Sequence, residues 1–211
     1  MSTIPRGRFA WFELMTTDPA AAQDFYGAVV GWGAQPWDGG DEPYTMWMNG
    51  EKPVGGFVQL PPDLQAQGVP PHWLAHVTTP DVDATVARAE ELGATLAHRL
   101  TVPTVGSFAV IQDPHGAVFS AFQPEGEAPG HDGPPQTGEF SWNELMTADW
   151  KSAWTFYSDL FGWEEDSQMN MGPEHGVYHM YKGNGRTLGG MMNRHGEMPV
   201  AWLHYVRIPD L

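Results

Sequence analysis

Residues 9–17 read FAWFELMTT, and their apolar positions alternate. Ala10, Phe12 and Leu14 share one parity; Phe9, Trp11, Glu13 and Met15 share the other. Period-two alternation predicts a strand with two unlike faces. Asp18-Pro19 follows, an N-cap residue with proline at the first helical position. The spacing then predicts a helix with Ala22, Phe25, Tyr26 and Val29 on one face, stopped at Gly31. Strand-like pieces come near 32–38, 44–49 and 53–60. The same order returns: a strand over 72–79, a cap at Asp81, a helix to Leu92 stopped by Gly93, then strands near 95–103, 106–112 and 116–123. The turn Asp113-Pro114-His115-Gly116 introduces the last of these. The pattern predicts an α+β chain built from βαβββ modules.

A longer repeat organises the chain. FAWFELMTTDPAAAQDFYGAVVGW (9–32) matches FSWNELMTADWKSAWTFYSDLFGW (140–163) without a gap, at an offset of 140 − 9 = 131. Tyr44-Thr45-Met46 and Val54-Gly55-Gly56 recur as Tyr178-His179-Met180 and Leu188-Gly189-Gly190. Trp73–Asp81 recurs as Trp202–Asp210. Such self-similarity marks a duplication. Residues 1–123 form one domain of two modules. The Pro-, Gly- and acid-rich segment 124–137 reads as an exposed linker. Residues 138–211 form an incomplete second domain: one module plus the opening strand of another. The first domain continues after Val82 for 123 − 82 = 41 residues that have no counterpart in the second. Asp210 is therefore expected to be a helix cap without its helix. The chain reads as a piece of a longer one, with a partner chain that completes the sheet as the alternative.

The motifs TTDPAAAQDFYGAVVGW and FAVIQDPHGAVFSAF, in paired βαβββ modules, resemble the vicinal oxygen chelate superfamily. That superfamily includes glyoxalase I, extradiol dioxygenases and bleomycin- and fosfomycin-resistance proteins. The resemblance implies a cup-shaped mixed sheet with helices on its outer face and a small-molecule ligand in the cup. It also allows a homodimer that shares cups between chains. Metal-dependent members carry a ligand seven residues before the capping Asp and a Glu seven residues after the Asp of the late turn. Here those positions are Trp11, Leu74, Trp142 and Ser120. A divalent cation needs several imidazole or carboxylate donors, so no cofactor is expected, and a divalent metal only if that ligand register is displaced.

Strand parity places Phe9, Trp11, Glu13 and Met15 on the cup face. His72, Leu74, His76 and Thr78 join them, as do Trp142, Glu144, Met146, Leu203, Tyr205 and Arg207 in the second copy. Glu13 and Glu144 are carboxylates among Trp and Met. Each is either hydrogen-bonded to a neighbouring polar side chain or a ligand-binding, proton-transferring group whose pKa desolvation raises. Glu13 with His76 is the candidate catalytic pair. Trp11, Met15, Leu74, Ser120, Trp142 and Glu144 are the candidate ligand contacts. His72 and His76 lie four residues apart on a strand, about 13 Å, too far to chelate one ion. His204 falls on the opposite face. The Gly55-Gly56 and Gly189-Gly190 pairs sit in strands, where glycine marks a bulge or a close backbone approach; in a cup-shaped sheet, curvature is the expectation.

Composition narrows the readings. A formal net charge of −16, from 26 acidic and 10 basic residues, disfavours nucleic acid and anionic membranes. No cysteine is present, which removes thiolate and disulfide chemistry. The N-terminus lacks a signal-like apolar run, and a cytoplasmic protein is the expectation. Three functions stay open: a metal-free binder of a small apolar or aromatic molecule, an enzyme of glyoxalase, lyase or oxygenase type, and a structural or interaction protein with a degenerate pocket.

Overall fold

A computed structural model describes residues 4–40 and 43–209 of the chain. Strand β1 (Phe9–Thr16) leads into helix α1 (Pro19–Val30), followed by β2 (Gly33–Trp37), β3 (Tyr44–Asn49) and β4 (Lys52–Gln59). A short helix that the pattern does not announce, α2 (Pro62–Ala66), bridges to β5 (His72–Thr78). Then come α3 (Val82–Glu91), β6 (Thr95–Val102), β7 (Gly106–Gln112) and β8 (Val118–Pro124). The second copy supplies β9 (Phe140–Thr147), α4 (Trp150–Phe161), β10 (Glu164–Asn170), β11 (Val177–Gly183), β12 (Arg186–Asn193) and β13 (Ala201–Val206). Asp210 lies outside the described residues. Among those residues, no helix is long and apolar enough to cross a membrane.

Two mixed sheets result. One has eight strands in the order β2-β3-β4-β1-β5-β8-β7-β6, the other five in the order β10-β11-β12-β9-β13. The helix ends follow the capping signals. Asp18 and Asp81 accept the amides of Ala21 and Ala84 at 3.0 and 2.9 Å, and Asp149 accepts that of Lys151 at 3.1 Å. Gly31 and Gly162 close α1 and α4 in the left-handed conformation, at φ 85° and 66°, where a Cβ is disfavoured.

The helices pack on the sheet face opposite Glu13 and Glu144, and there the two copies share one core. Phe9, Val77, Phe119 and Ile111 from the first copy cluster with Tyr157, Leu160, Trp163 and Trp202 from the second. The duplication offset also relates a reciprocal clasp. Trp32 donates its indole N–H to Gly138 O, and Trp163 donates to Gly7 O, both at 2.8 Å. Asp113, in the late turn of the first copy, accepts the amides of His115 and Ala117 and the buried Tyr157 hydroxyl of the second.

Three expectations need correction. On α1 the packed residues are Ala22, Tyr26 and Val30, whereas Phe25 and Val29 are 57% and 54% exposed. Their counterparts Phe156 and Leu160 are 4% and 1% exposed, because Phe119 and the rest of the shared core cover α4. Phe9 does not join Trp11 on the cup face. A bulge between Phe9 and Trp11 turns it into the core, stacked 5.3 Å from Trp163. The segment 124–137 is tied to both copies: Asp132 pairs with Arg8, Gly133 O accepts from Arg186, and Pro135 O from Arg207. Arg207 therefore reaches the linker rather than the cup.

Candidate functional site

Register assembles the cup wall row by row, since directly paired residues share a face. Trp11 lies opposite His76, and His76 opposite Ser120. Glu13 lies between Gly56 and Leu74, and Met15 opposite His72. In the second copy Glu144 lies between Gly190 and Leu203, and Trp142 opposite Tyr205. The candidate residues of the first copy thus fall on one continuous surface, and Trp142 and Glu144 fall on its counterpart. Thr78 is the exception in its contacts: its hydroxyl donates to Pro5 O, back toward the N-terminal segment.

Glu13 and His76 are neighbours on that surface but do not pair. The Tyr44 hydroxyl accepts the Trp11 indole N–H at 2.6 Å and lies beside the Glu13 carboxyl. The second copy repeats the arrangement and extends it to a hydrogen bond on the carboxylate: Trp142 donates to Tyr178 at 2.7 Å, and Tyr178 to Glu144 at 2.7 Å. Tyr205 adds a further bond to Glu144 at 3.2 Å. Burial raises the Glu13 carboxyl to about 7, with the nearby Tyr44 hydroxyl opposing part of that rise. His76 is 6% exposed and neither ring nitrogen has a hydrogen-bond partner among the described residues. Burial lowers its pKa to about 4, so it is a neutral imidazole near pH 7. It meets the edge of Phe108 at 5.2 Å, and Phe108 stacks on Phe122 at 4.4 Å. Ser120 is fully buried beside it, its hydroxyl engaged with Ala121 O at 3.4 Å.

The tyrosines explain the glycine pairs. A Cβ on Gly56 would lie 2.1 Å from the Tyr44 hydroxyl, and one on Gly190 would lie 2.3 Å from the Tyr178 ring. Gly55 and Gly189 press on the backbone carbonyls of Phe12 and Asn143. The glycines therefore make room for a ring on one side and a neighbouring strand's carbonyl on the other, so close approach accounts for them where curvature is the expectation. The sequence did carry a signal for the tyrosines: the recurrence of Tyr44-Thr45-Met46 as Tyr178-His179-Met180. Phe108 and Phe122 carried none, since aromatic residues in strands ordinarily read as core.

His204 points away from the cup, as its parity predicts. It lies half-buried beside Phe12 and Phe140, with Nδ1 2.9 Å from the Asn143 side-chain oxygen.

Comparison with known proteins places this geometry. The profile of the glyoxalase-like domain family matches residues 11–122. The chain belongs to that family, within the vicinal oxygen chelate superfamily. It is 38% identical over 120 residues to CFP32 of Mycobacterium bovis, a protein named as a glyoxylase; the match covers 56% of this chain and 44% of that one. The chain thus spans less than half the length of that relative. It is 30% identical over 196 residues to the anthracycline biosynthesis protein DauV of a Streptomyces species, covering 86% of this chain and 70% of that one. The Mn(II)-bound glyoxalase of Novosphingobium aromaticivorans shares the fold at a TM-score of 0.65 and 15% identity, over 93% of this chain and 64% of that one. A 2,2',3-trihydroxybiphenyl 1,2-dioxygenase from Sphingomonas wittichii also gives 0.65, at 10% identity, over 92% and 70%.

Such neighbours imply a divalent metal, and the donor set here does not suit one. The positions in the ligand register carry two indoles, a leucine and a buried serine. Glu13 lies beside Tyr44, and no three His, Cys, Asp or Glu side chains converge among the described residues.

Proposed function

We propose that the chain binds a small apolar or aromatic molecule in the cup of its first domain, without a divalent metal. The observation that carries this reading is His76: a buried neutral imidazole with both nitrogens unpartnered, set against the Phe108–Phe122 stack. An unpaired buried polar group is costly, and a ligand with a hydroxyl or carbonyl group would satisfy it. The aromatic edges around it suit a planar molecule. Glu13 supplies a second polar anchor that is part protonated near neutral pH.

The other reading is an enzyme of glyoxalase, lyase or dioxygenase type. Its support is the carboxyl of Glu13, raised to about 7, where a general base is most useful. The relatives named for glyoxylase activity and for anthracycline biosynthesis set the compounds to try. Thermal-shift and calorimetric titrations with anthracycline-type aromatics and methylglyoxal-type substrates separate the two. Saturable binding without turnover is expected, weakened roughly tenfold in Glu13→Gln. Unchanged affinity and rate in that variant would remove Glu13 from the site. One tightly bound Fe, Mn, Ni or Zn per domain in the purified protein would overturn the metal-free reading.

A further inference from the structure

The duplication brings two equivalent pairs of residues to one crevice between the copies. Arg8 and Glu139 are equivalent, one residue before Phe9 and Phe140. Lys52 and Arg186 are equivalent, each two residues before the Val54/Leu188 that precede the glycine pairs. In one combination opposite charges meet: Lys52 Nζ lies 2.6 Å from Glu139, whose carboxylate also takes His131 at 3.0 Å and the Gln136 amide at 2.9 Å. Those bonds hold the Glu139 carboxyl down at about 2 against the effect of its burial. In the symmetry-equivalent combination like charges meet, because Arg8 lies near enough to Arg186 to press its pKa down.

The linker resolves only half of that conflict. Asp132 takes Arg8 with both carboxylate oxygens, at 2.9 and 2.5 Å. Arg186 is left with one hydrogen bond, from Nη1 to Gly133 O at 2.7 Å, and no carboxylate within ion-pair distance among the described residues. A guanidinium has five N–H donors, so four remain. Burial pulls the Arg186 pKa down, Asp132 and Glu139 oppose the shift, and Arg8 adds to it. The carboxylates of the crevice are thus spent on other cations. Arg186 also lines a cavity of about 60 Å³ with Lys52, His131 and Glu139, floored by Phe12 and Phe140.

We propose that this crevice between the copies is a binding site for a small oxyanion, a carboxylate or phosphate group, held by the guanidinium of Arg186. The planar fork suits two oxygens of one such group. The apolar floor keeps competing water to one side, and Lys52 adds positive charge beside its ion pair. The site is separate from both cups, which lie on the opposite face of the sheets.

Calorimetric titration of the full chain with inorganic phosphate and with acetate, in chloride-free buffer, tests the proposal. Saturable binding of at least one is expected, and which one binds tells phosphate from carboxylate. Arg186→Gln should weaken it about tenfold or more. Asp132→Asn should tighten it severalfold, because it releases Arg8 to the same crevice; its side chain is 39% exposed, so folding should survive. A residue that only braces the two copies would make both variants less stable and would not move affinity in opposite directions. Absence of saturable binding to either anion would overturn the proposal. So would unchanged affinity in a folded Arg186→Gln, or weaker binding in Asp132→Asn.

Discussion

Glu13 and His76 occupy one face of adjacent strands, and burial moves them in opposite senses. The Glu13 pKa rises from 4.5 to about 7, so the folded chain keeps a proton that the unfolded chain releases. Its contribution favours folding below about pH 4.5 and is lost as pH rises through 7. His76 falls from 6.5 to about 4, and His204 to about 3. Their neutral forms favour folding above pH 6.5, and that contribution is lost as pH falls toward 4. The two effects oppose each other between these limits and flatten the stability profile of the native chain. Glu13→Gln should remove one of them. Melting profiles of this variant are expected to gain stability relative to wild type as pH rises from 4.5 to 8, by up to about 3 kcal/mol. Parallel profiles across that range would show that Glu13 titrates normally. The identity of this carboxylate was legible from parity alone. Its partner was not, because Tyr44 reaches it from β3, two strands away in the sheet order, and no spacing within β1 encodes that contact.

Among the elements, β4 and β12 owe their sequence to what lies on them. Gly56→Ala would place a methyl against the Tyr44 ring and should cost about 1–3 kcal/mol. The cost should shrink in a Tyr44→Ala background, because the collision is with that side chain. Gly55→Ala should not be rescued in this way, since its Cβ would meet the Phe12 carbonyl at 2.4 Å. A double-mutant cycle read by chemical denaturation measures the difference; equal coupling at both glycines would refute the assignment. Strands, helices and caps were legible because each rests on local chemistry: alternation, an Asp before the first turn, a Gly after the last. The bulge at Phe9/Trp11 was not, since a one-residue slip leaves the pattern intact while changing the face. The same slip recurs between Tyr205 and Val206 opposite β9.

Across the whole molecule, equal positions in the two copies have unequal surroundings. Phe25 and Phe156 occupy the same place on α1 and α4, yet one faces solvent and the other is enclosed. Phe156→Ala should cost about 3–5 kcal/mol, and Phe25→Ala no more than about 0.5 kcal/mol. Comparable losses in denaturant melts would show that α1 is covered in solution. The repeat made the two-copy organisation legible in the sequence. It could not show which copy shields the other, because identical motifs carry no record of their neighbours. The reciprocal indole bonds give that arrangement a further meaning. Trp32 and Trp163 each complete their hydrogen bonding on the opposite copy, and the apolar interior is common to both. Cutting within 124–137 would not release two self-sufficient halves. Each would leave with an indole deprived of its acceptor and a raw apolar surface. The duplicated chain is in this respect a merger of two units that have given up separate existence, although each still bears the imprint of one ancestor.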